Sequence, residues 1–279
     1  MIPEEEIQYI GDGVHLRSSL LPEICQEEKI EMSVVSNNYL VLLEKDGKTR
    51  MIFGHKFGLN PSTGEIAASD KFAAYEVLHA AGVPVAEHVL LYDKDNGAGH
   101  AQGLQSDEYV ADFFHEHGED IVIKPNNGSR GVGVTRVTSL DNLDAVREVV
   151  FRHSYSASMC PFYDIENEYR VVILDDAVRL CYGKERGEDW RFNLSQGATV
   201  VDVTDEGLRR KLEEIARAAA KALGMRFCTV DIIRVKSGEL MVIEVNSGVT
   251  ITKYLLMRPE QRGMVKEIYR DAVLKMFEE

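Results

Sequence analysis

The residues best suited to chemistry lie in the stretch FCTVDIIRVKSGELMVIEVNSG, near the C-terminal end of the chain. Two runs rich in β-branched residues flank a serine–glycine pair, which favours a tight hairpin turn. A two-residue turn at this pair places Asp231 directly opposite Glu244, and alternation along the strand puts Asn246 on the face of Glu244. Carboxylate and amide oxygens suit Mg²⁺ held partly by substrate phosphates. These three residues are therefore predicted to be metal ligands.

Two opposed carboxylates in a sheet repel each other unless a cation joins them. Magnesium is one such cation. The alternative is that each carboxylate pairs with a lysine or arginine elsewhere in the chain. The rest of both faces is apolar, with Leu240 and Val242 predicted on the acidic face and Ile232 on the other. Strands that are apolar on both faces are usually buried.

A second stretch, IVIKPNNGSRGVGVTRV, combines three glycines with Ser129 and Arg130. Its backbone N–H groups could approach phosphate oxygens, with Lys124 on the preceding strand as a point charge. It is not a Walker loop, because no G-K-[ST] follows and the chain re-enters a strand. The alternative is a surface hairpin without a ligand.

Lys71 occupies the first turn of a predicted helix, where the helix dipole disfavours a cation. It therefore faces either an anionic ligand or solvent.

Composition narrows the class of protein. The chain has 279 residues, 44% hydrophobic and 28% charged, as expected of a globular protein with a sizeable core. Its formal net charge of −14 argues against nucleic acids and anionic membranes as partners. The acidic start MIPEEEIQ is not a signal peptide, and no apolar run has membrane-spanning length. Four scattered cysteines without a C-x-x-C pair favour reduced thiols, so we expect a cytoplasmic protein.

The helices and strands that position these residues are predicted from local patterns in the sequence. Hairpins are predicted at Asp46-Gly47 and Asp175-Asp176, and FGLNPSTGEIAAS is interpreted as a loop. Helices are predicted over residues 71–81, 107–116, 139–153, 205–223 and 259–277. Strands and helices alternate without a regular βαβ period, which predicts an α+β fold. We divide the chain into an N-terminal region with a β-hairpin (1–67), a lobe with the glycine-rich loop (68–155) and a C-terminal lobe with the metal-binding hairpin (156–279).

Taken together, four segments resemble the ATP-grasp superfamily and its carboxylate–amine ligases. In chain order they are DKFAAYEVLHAAGVPV, VIKPNNGSRGVGV, FYDIENEYRVVIL and VDIIRVKSGELMVIEVNSG. The R-x-N-L-x-x-G segment at 191–197 is similar to that of the glutamate ligases that modify ribosomal protein and of bacterial glutathione synthetase. Residues 60–84 are also similar to cyanophycin synthetase. The resemblance implies two α+β lobes gripping ATP, here with a short N-terminal region.

The resemblance also implies a role for each matching position. The nucleotide-binding residues that it implies are Lys71, Lys124, Gly128, Ser129, Arg130, Gly131, Gly133, Phe162, Tyr163, Asp164, Ile165 and Glu168. Of these, residues 162–165 would form the adenine hinge and Glu168 would bind the ribose. The metal ligands would be Asp231, Glu244 and Asn246. Lys184 and Arg191 would neutralise phosphate charge during catalysis, and Asn193 would contact the substrate.

Three departures from the family pattern bear on the substrate. Thr229 stands where D-alanine–D-alanine ligase has an arginine, SGVTITKY lacks the proline common after the hairpin, and the N-terminal region is short.

The activity implied by the resemblance is that of an ATP- and Mg²⁺-dependent ligase that acts through an acyl phosphate on small-molecule or peptide substrates. A homodimer is compatible with the sequence. The alternatives are a nucleotide-binding regulatory protein without turnover, and a carboxylase or phosphotransferase on the same fold. Residues 184–197, rich in charge and bearing two glycines, are predicted to form a lid over the phosphates.

Overall fold

The computed structural model describes residues 19–35, 40–94, 104, 106–128, 131–152, 154–187 and 198–278. Helices in this part are α1 Leu21–Glu28, α2 Ser62–Ser69, α3 Lys71–Ala80, α4 Asp107–Glu116, α5 Leu143–Phe151, α6 Glu206–Ala222, α7 Thr252–Met257 and α8 Arg262–Glu278, with 3₁₀ turns at Leu140–Asn142 and Pro259–Gln261. Strands are β1 Glu31–Val35, β2 Leu40–Lys45, β3 Lys48–Phe53, β4 Val89–Tyr92, β5 Ile121–Pro125, β6 Thr135–Val137, β7 Ser156–Pro161, β8 Ile165–Leu174, β9 Ala177–Glu185, β10 Thr199–Val201, β11 Phe227–Val235 and β12 Leu240–Asn246.

The strands form three antiparallel sheets, with the orders β1-β2-β3, β4-β7-β5-β6 and β10-β9-β8-β11-β12. Helices and antiparallel sheets thus occur together, and the α+β prediction is confirmed. Within the described ranges, no helix combines the length and apolar character needed to span a lipid bilayer.

Two of the predicted hairpin turns are confirmed. Asp46 and Gly47 have φ values of 51° and 74°, and Asp175 and Asp176 have φ values of 48° and 64°. Two consecutive residues in the left-handed region make the turn whose twist matches that of paired strands. The flanking residues pair as predicted, because Lys45 lies opposite Lys48 and Leu174 opposite Ala177.

The hairpin of β11 and β12 differs from its prediction at the turn. Val235 N donates to Glu239 O at 3.1 Å, so three residues form the turn instead of two. A bulge between Asp231 and Ile232 then restores the register, so that Asp231 still lies opposite Glu244. The predicted turn was wrong and the predicted pair of carboxylates was right.

The same bulge changes which residues share a face. Val242 lies opposite Ile232 and belongs to the same hydrophobic cluster. Leu240 packs against that cluster as well. The prediction that Leu240 and Val242 lie on the acidic face is therefore wrong, because a residue without a partner reverses the alternation beyond it.

The helix predictions fail where a short element depends on tertiary contacts. α3 and α4 begin where predicted, capped by the side chains of Asp70 and Ser106. The segment interpreted as a loop contains α2. A Cβ on Gly64 in α2 would lie 2.4 Å from Leu223 O, so the glycine permits close packing against the end of α6. α7 and the strands β7 and β10 were not predicted either.

Hydrophobic cores cover both faces of the five-stranded sheet. One face packs against α6, with Leu212 and Ala216 contacting strand residues such as Val230. The other face is covered at one end by α1, β2, β3 and α8, through residues such as Leu43 and Tyr269. The four-stranded sheet has its own core with α4 and α5. All four cysteines are free, and Cys181 alone among them is not fully buried. The division into three segments stays a prediction.

Candidate active site

The open end of the second face of the five-stranded sheet carries a row of polar side chains. Cross-strand pairs place Tyr182, Arg170, Asp231 and Glu244 side by side on β9, β8, β11 and β12. The opposite face is apolar and packs on α6. The buried core thus fixes the sheet, and the sheet sets the spacing of the polar row.

Asp231 is buried and bound by two cations. The Arg170 guanidinium donates to both carboxylate oxygens of Asp231, at 2.7 and 2.6 Å. The Lys184 ammonium lies 3.3 Å from Asp231 Oδ1 and also donates to Glu168. Of the two alternatives left open by the sequence, pairing with arginine and lysine is therefore what this structure contains. Arg170 was not predicted as a site residue, although E-x-R in an apolar strand puts two charges on one face.

The charged states of this cluster depend on one another. Burial alone would raise the pKa of Asp231, but Arg170 and Lys184 hold it below its usual value. Burial opposes the charged form of Lys184, yet Asp231 and Glu168 outweigh it and raise the pKa of the ammonium. Burial raises the pKa of Glu168, whose carboxylate contacts Lys184 in place of a ribose. The ribose role of Glu168 stays a prediction.

Glu244 and Asn246 complete the predicted metal set. Asn246 Nδ2 lies 3.5 Å from Asp231 Oδ2, so the amide and the carboxylate are neighbours. Glu244 makes no ion pair with the described residues, and its charge acts on Lys71. Among the described residues, no three histidine, cysteine, aspartate or glutamate side chains are placed together to hold a metal. The predicted set has two carboxylates and one amide, which is a fitting donor set for Mg²⁺ bound together with phosphate oxygens.

Lys71 connects α3 to the glycine-rich loop. Its ammonium donates to Gly128 O at 2.6 Å and to Asn126 O at 3.3 Å. Asn126 Oδ1 accepts from Phe72 N at 3.1 Å, which fastens the loop to the first turn of α3. The unfavourable position of a lysine in that turn is thus offset by two carbonyl oxygens. Asn126 was not predicted as a site residue, because no local pattern singles it out.

The two predicted phosphate lysines lie near each other, and Lys124 is buried whereas Lys71 is half-buried. Lys124 is 7% exposed, and no carboxylate of the described residues pairs with it. Burial lowers the pKa of Lys71, and the charge of Lys124 lowers it further, against the opposing effect of Glu244. A phosphate between the two ammonium groups would relieve this repulsion, so the site fits the polyphosphate of ATP.

The glycines of the loop have packing reasons for their identity. Gly131 and Gly133 have φ values of 75° and 69°, which side chains rarely adopt. A Cβ on Gly133 would lie 2.9 Å from Pro125 Cγ, and one on Gly128 would lie 3.1 Å from Pro125 Cβ. The loop therefore lies against the end of β5, next to Lys124.

The predicted hinge links the two larger sheets, because β7 ends at Pro161 and β8 begins at Ile165. Tyr163 Oη accepts from Glu87 N at 3.0 Å, and burial raises the pKa of Tyr163 to about 12. Asp164 pairs with Lys236 at 2.6 Å, and the Arg136 guanidinium lies 3.5 Å from the centre of the Phe162 ring. These contacts hold the linker at both ends.

Four predicted residues, Ser129, Arg130, Arg191 and Asn193, lie outside the described residues. Most of the predicted lid lies outside them too. Of the segment 184–197, the described part is 184–187, in which Lys184 belongs to the buried cluster around Asp231.

Comparison with known proteins identifies the family. A family described as the RimK-like ATP-grasp domain matches residues 68–258. The chain belongs to the RimK-like ATP-grasp family. The resemblance to the ATP-grasp superfamily, and the fold that it implied, are thereby confirmed.

Relatives of this RimK-like protein include named ligases. It is 28% identical over 198 residues to the tetrahydromethanopterin:α-L-glutamate ligase of Methanocaldococcus jannaschii, covering 68% of this chain and 61% of that protein. It is 30% identical over 194 residues to a probable α-L-glutamate ligase of Xanthomonas oryzae pv. oryzae, covering 67% and 59%. The chain thus spans about three fifths of the length of these curated relatives.

The fold also resembles that of a solved ligase. The D-alanine–D-alanine ligase from Bacillus anthracis, complexed with ATP, superposes with a TM-score of 0.58 at 21% sequence identity. The match covers 78% of this chain and 67% of the ligase.

Proposed function

We propose that this protein is an ATP- and Mg²⁺-dependent ligase that joins a carboxylate to an amine. The observation that carries the proposal is the placement of buried Lys124 beside half-buried Lys71, neither of which has a carboxylate ion pair among the described residues. Two such cations beside a wall of acidic and amide side chains suit a nucleotide triphosphate with its metal. Membership of the RimK-like family supports the same assignment.

The two lysines and the glycine-rich loop would bind the phosphates, and residues 162–165 the adenine. Asp231, Glu244 and Asn246 would hold Mg²⁺, which supplies charge neutralisation when it is bound. Asp231 would have to share its oxygens between the metal and Arg170, whose guanidinium now occupies both. Positioning and electrostatic stabilisation would then provide most of the catalysis.

The reaction would proceed in two displacements. A substrate carboxylate oxygen bonds to the γ-phosphorus of ATP while the bond to ADP breaks, which gives an acyl phosphate. The amine nitrogen then bonds to the acyl carbon, the carbon–oxygen bond to phosphate breaks, and the amine releases a proton to solvent. Lys184 and Arg191 would stabilise the negative charge that builds up on the transferred phosphoryl group.

The best first candidate for the amine is L-glutamate, because relatives of the chain are named α-L-glutamate ligases. The test is an ADP-release screen with Mg²⁺ and ATP over pairs of amino acids and small carboxylates, with products identified by mass. ADP that appears only with a pair of substrates, together with a product lighter than the pair by one water, supports the ligase. ADP release that needs no amine would instead indicate a phosphotransferase.

A second candidate is a nucleotide-binding protein without turnover. The observation in its favour is that both oxygens of Asp231 are bonded to Arg170, which would leave the metal fewer ligands. Nucleotide binding without ADP release under every substrate pair would favour this candidate.

Nucleotide binding itself is tested at Lys124. Lys124→Ala should weaken ATP binding at least tenfold and leave adenosine binding unchanged, because the lysine would meet phosphate and not base. Isothermal titration with both ligands measures this. Lys221→Ala, at an exposed lysine near the end of α6, is the control. An equal loss for ATP and adenosine would mean that Lys124 has a structural role only.

A further inference from the structure

Arg136 was not predicted as a site residue, yet its side chain lies on the predicted adenine hinge. It belongs to β6, the strand that follows the glycine-rich loop, and it pairs with Val122 on β5. The guanidinium carbon lies 3.5 Å from the centre of the Phe162 ring. A guanidinium on the face of an aromatic ring is attracted by the ring electrons. A strand that leaves the glycine-rich loop thus contacts the first residue of the hinge.

Asp120, directly before β5, fixes the position of both groups. The Arg136 guanidinium donates to its two carboxylate oxygens, from Nε at 2.8 Å and from an Nη at 2.6 Å. Two parallel bonds between a guanidinium and a carboxylate hold the plane of the guanidinium in one orientation. The backbone oxygen of the same aspartate accepts from Phe162 N at 2.9 Å. One residue therefore holds the hinge backbone and also the cation that stacks on the hinge ring.

These contacts limit which hinge groups could meet a base. Phe162 N–H is bonded to Asp120 O, and Asp164 O accepts from Lys236 N at 3.1 Å. Both ends of the hinge backbone are therefore engaged within the protein. An adenine base at the hinge would have to use the backbone groups between these two points, on either side of Tyr163. Their orientation is set by how firmly the two ends are held.

We propose that Arg136 is a positioning residue for recognition of the adenine base. By its bonds to Asp120 and its contact with the Phe162 ring, it would hold the start of the hinge, so that the backbone around Tyr163 has one arrangement toward the base. Arg136 itself would contact neither the base nor the phosphates. Groups held in their binding arrangement bind more tightly, because less conformational freedom is lost on binding. This inference rests on the proposed nucleotide site.

The test separates the base from the phosphates by using adenosine and Mg²⁺·tripolyphosphate as two probes of one site. R136M keeps a long side chain and removes the charge, the planar group and the bonds to Asp120. Its dissociation constants for both probes and for Mg²⁺·ATP are measured by isothermal titration, together with its melting temperature. R152M is the control, because Arg152 is an exposed arginine after α5 that lies 4.0 Å from Glu148.

R136M should bind adenosine and Mg²⁺·ATP about fivefold more weakly, the effect of one lost contact between a cation and a ring. Its affinity for Mg²⁺·tripolyphosphate should not change. Its melting temperature should stay within about 3 °C of the wild type, because a partly exposed ion pair contributes little to stability. R152M should match the wild type in all four measurements.

A second variant, F162L, removes the same contact from the side of the ring. The double variant R136M/F162L should bind adenosine no more weakly than F162L alone, because either substitution already abolishes the contact. Losses that add would mean that the two side chains act separately.

Three results would overturn the inference while leaving the proposed function intact. The first is wild-type or higher affinity of R136M for adenosine. The second is an equal loss for adenosine and Mg²⁺·tripolyphosphate, or failure of R136M to fold, because either would mean that Arg136 supports the fold as a whole. The third is additive losses in the double variant. If the wild-type protein binds neither adenosine nor Mg²⁺·ATP, the proposed function fails and the inference fails with it.

Discussion

At the scale of single residues, the site depends on four charges, two buried and two half-buried, that neutralise one another. Arg170 and Lys184 face Asp231 and Glu168 on three adjacent strands. Removing charges from water is costly, and the cost is recovered only while every partner is present. The loss of one member should therefore be more harmful than the loss of a whole pair.

Arg170→Met should destabilise the fold by about 3 kcal/mol, because Asp231 would keep its charge with one cation fewer. The double variant Arg170→Met/Asp231→Leu should be more stable than the single one. Urea denaturation measures both. The control is Arg234→Met, which removes an exposed pair with Glu166 and should change stability by less than about 1 kcal/mol. If Arg170→Met costs no more than this control, the four charges do not form a coupled unit.

The sequence predicted one side of this cluster and missed the other. Asp231 and Glu244 were found because they belong to one hairpin, although a three-residue turn and the bulge that offsets it replace the predicted two-residue turn. Arg170 contacts Asp231 across a pairing of strands far apart in the chain, which no local pattern specifies. Asn126 was missed for the same reason, since its importance comes from what surrounds it in three dimensions.

At the scale of elements, two glycines in helix first turns offer a matched comparison. A Cβ on Gly64 in α2 would lie 2.4 Å from a backbone oxygen, whereas one on Gly263 in α8 would meet nothing within 4 Å. Gly64→Ala should destabilise by about 2 kcal/mol despite the higher helix propensity of alanine. Gly263→Ala should stabilise by about 0.5 kcal/mol. Chemical denaturation measures the sign of the change in the free energy of unfolding for each variant. A stabilising effect of Gly64→Ala would contradict the close packing of α2 on α6.

The start of α6 provides a test of pH dependence. Asp205 accepts from Leu208 N at 3.0 Å and from Gly207 N at 2.7 Å, and these bonds lower the pKa of its carboxyl. A lowered pKa in the folded state means that the cap stabilises the fold above the unfolded pKa of about 3.9 and loses its effect as pH falls through the folded value.

Asp205→Ala should therefore reduce the melting temperature at pH 7, and its difference from the wild type should shrink toward pH 3. Thermal melts across this range measure it. Asp202→Ala removes an exposed carboxylate three residues earlier, 4.0 Å from Arg258, and should have little effect. A difference that stays constant with pH would show that the charge of Asp205 does not stabilise α6.

Element prediction succeeded where turn chemistry or capping is local. The turns at Asp46-Gly47 and Asp175-Asp176, and the capped starts of α3 and α4, carry their signals within a few residues. α2 was missed because Pro61 and Gly64 are typical of loops, although here the glycine serves contact with another helix. α7, β7 and β10 are short, so their formation depends on neighbours more than on their own residues.

At the scale of the whole molecule, charge predicts an order of binding. Four cations face four carboxylates around the site in a chain of net charge −14; they are Lys71, Lys124, Arg170, Lys184, Asp70, Glu168, Asp231 and Glu244. Free Mg²⁺ would enter a region that has no net negative charge to attract it, whereas a polyphosphate brings the negative charge that the ion needs. The metal should therefore bind with the nucleotide and not before it.

Titration with MgCl₂ alone should give no measurable binding, and the same titration in the presence of ATP should. Glu244→Gln should weaken the nucleotide-dependent binding of Mg²⁺ without altering the fold. Tight binding of Mg²⁺ in the absence of nucleotide would contradict this order.

The bulge beside Asp231 has a consequence for changes in chain length. Ile243 has no partner across the hairpin, and the pairs on its two sides run in different registers. Deleting Ile243 would join them into one continuous ladder in which Glu244 still lies opposite Asp231, because the pairs Ile232–Val242 and Asp231–Glu244 would then follow each other directly. A continuous ladder that kept Ile243 would instead place Ile243 opposite Asp231 and turn Glu244 and Asn246 to the apolar side of the sheet, against α6. The direction in which the acidic groups face thus depends on a bulge at an aliphatic residue, and a chain that has lost that one codon should still present every proposed ligand to the site.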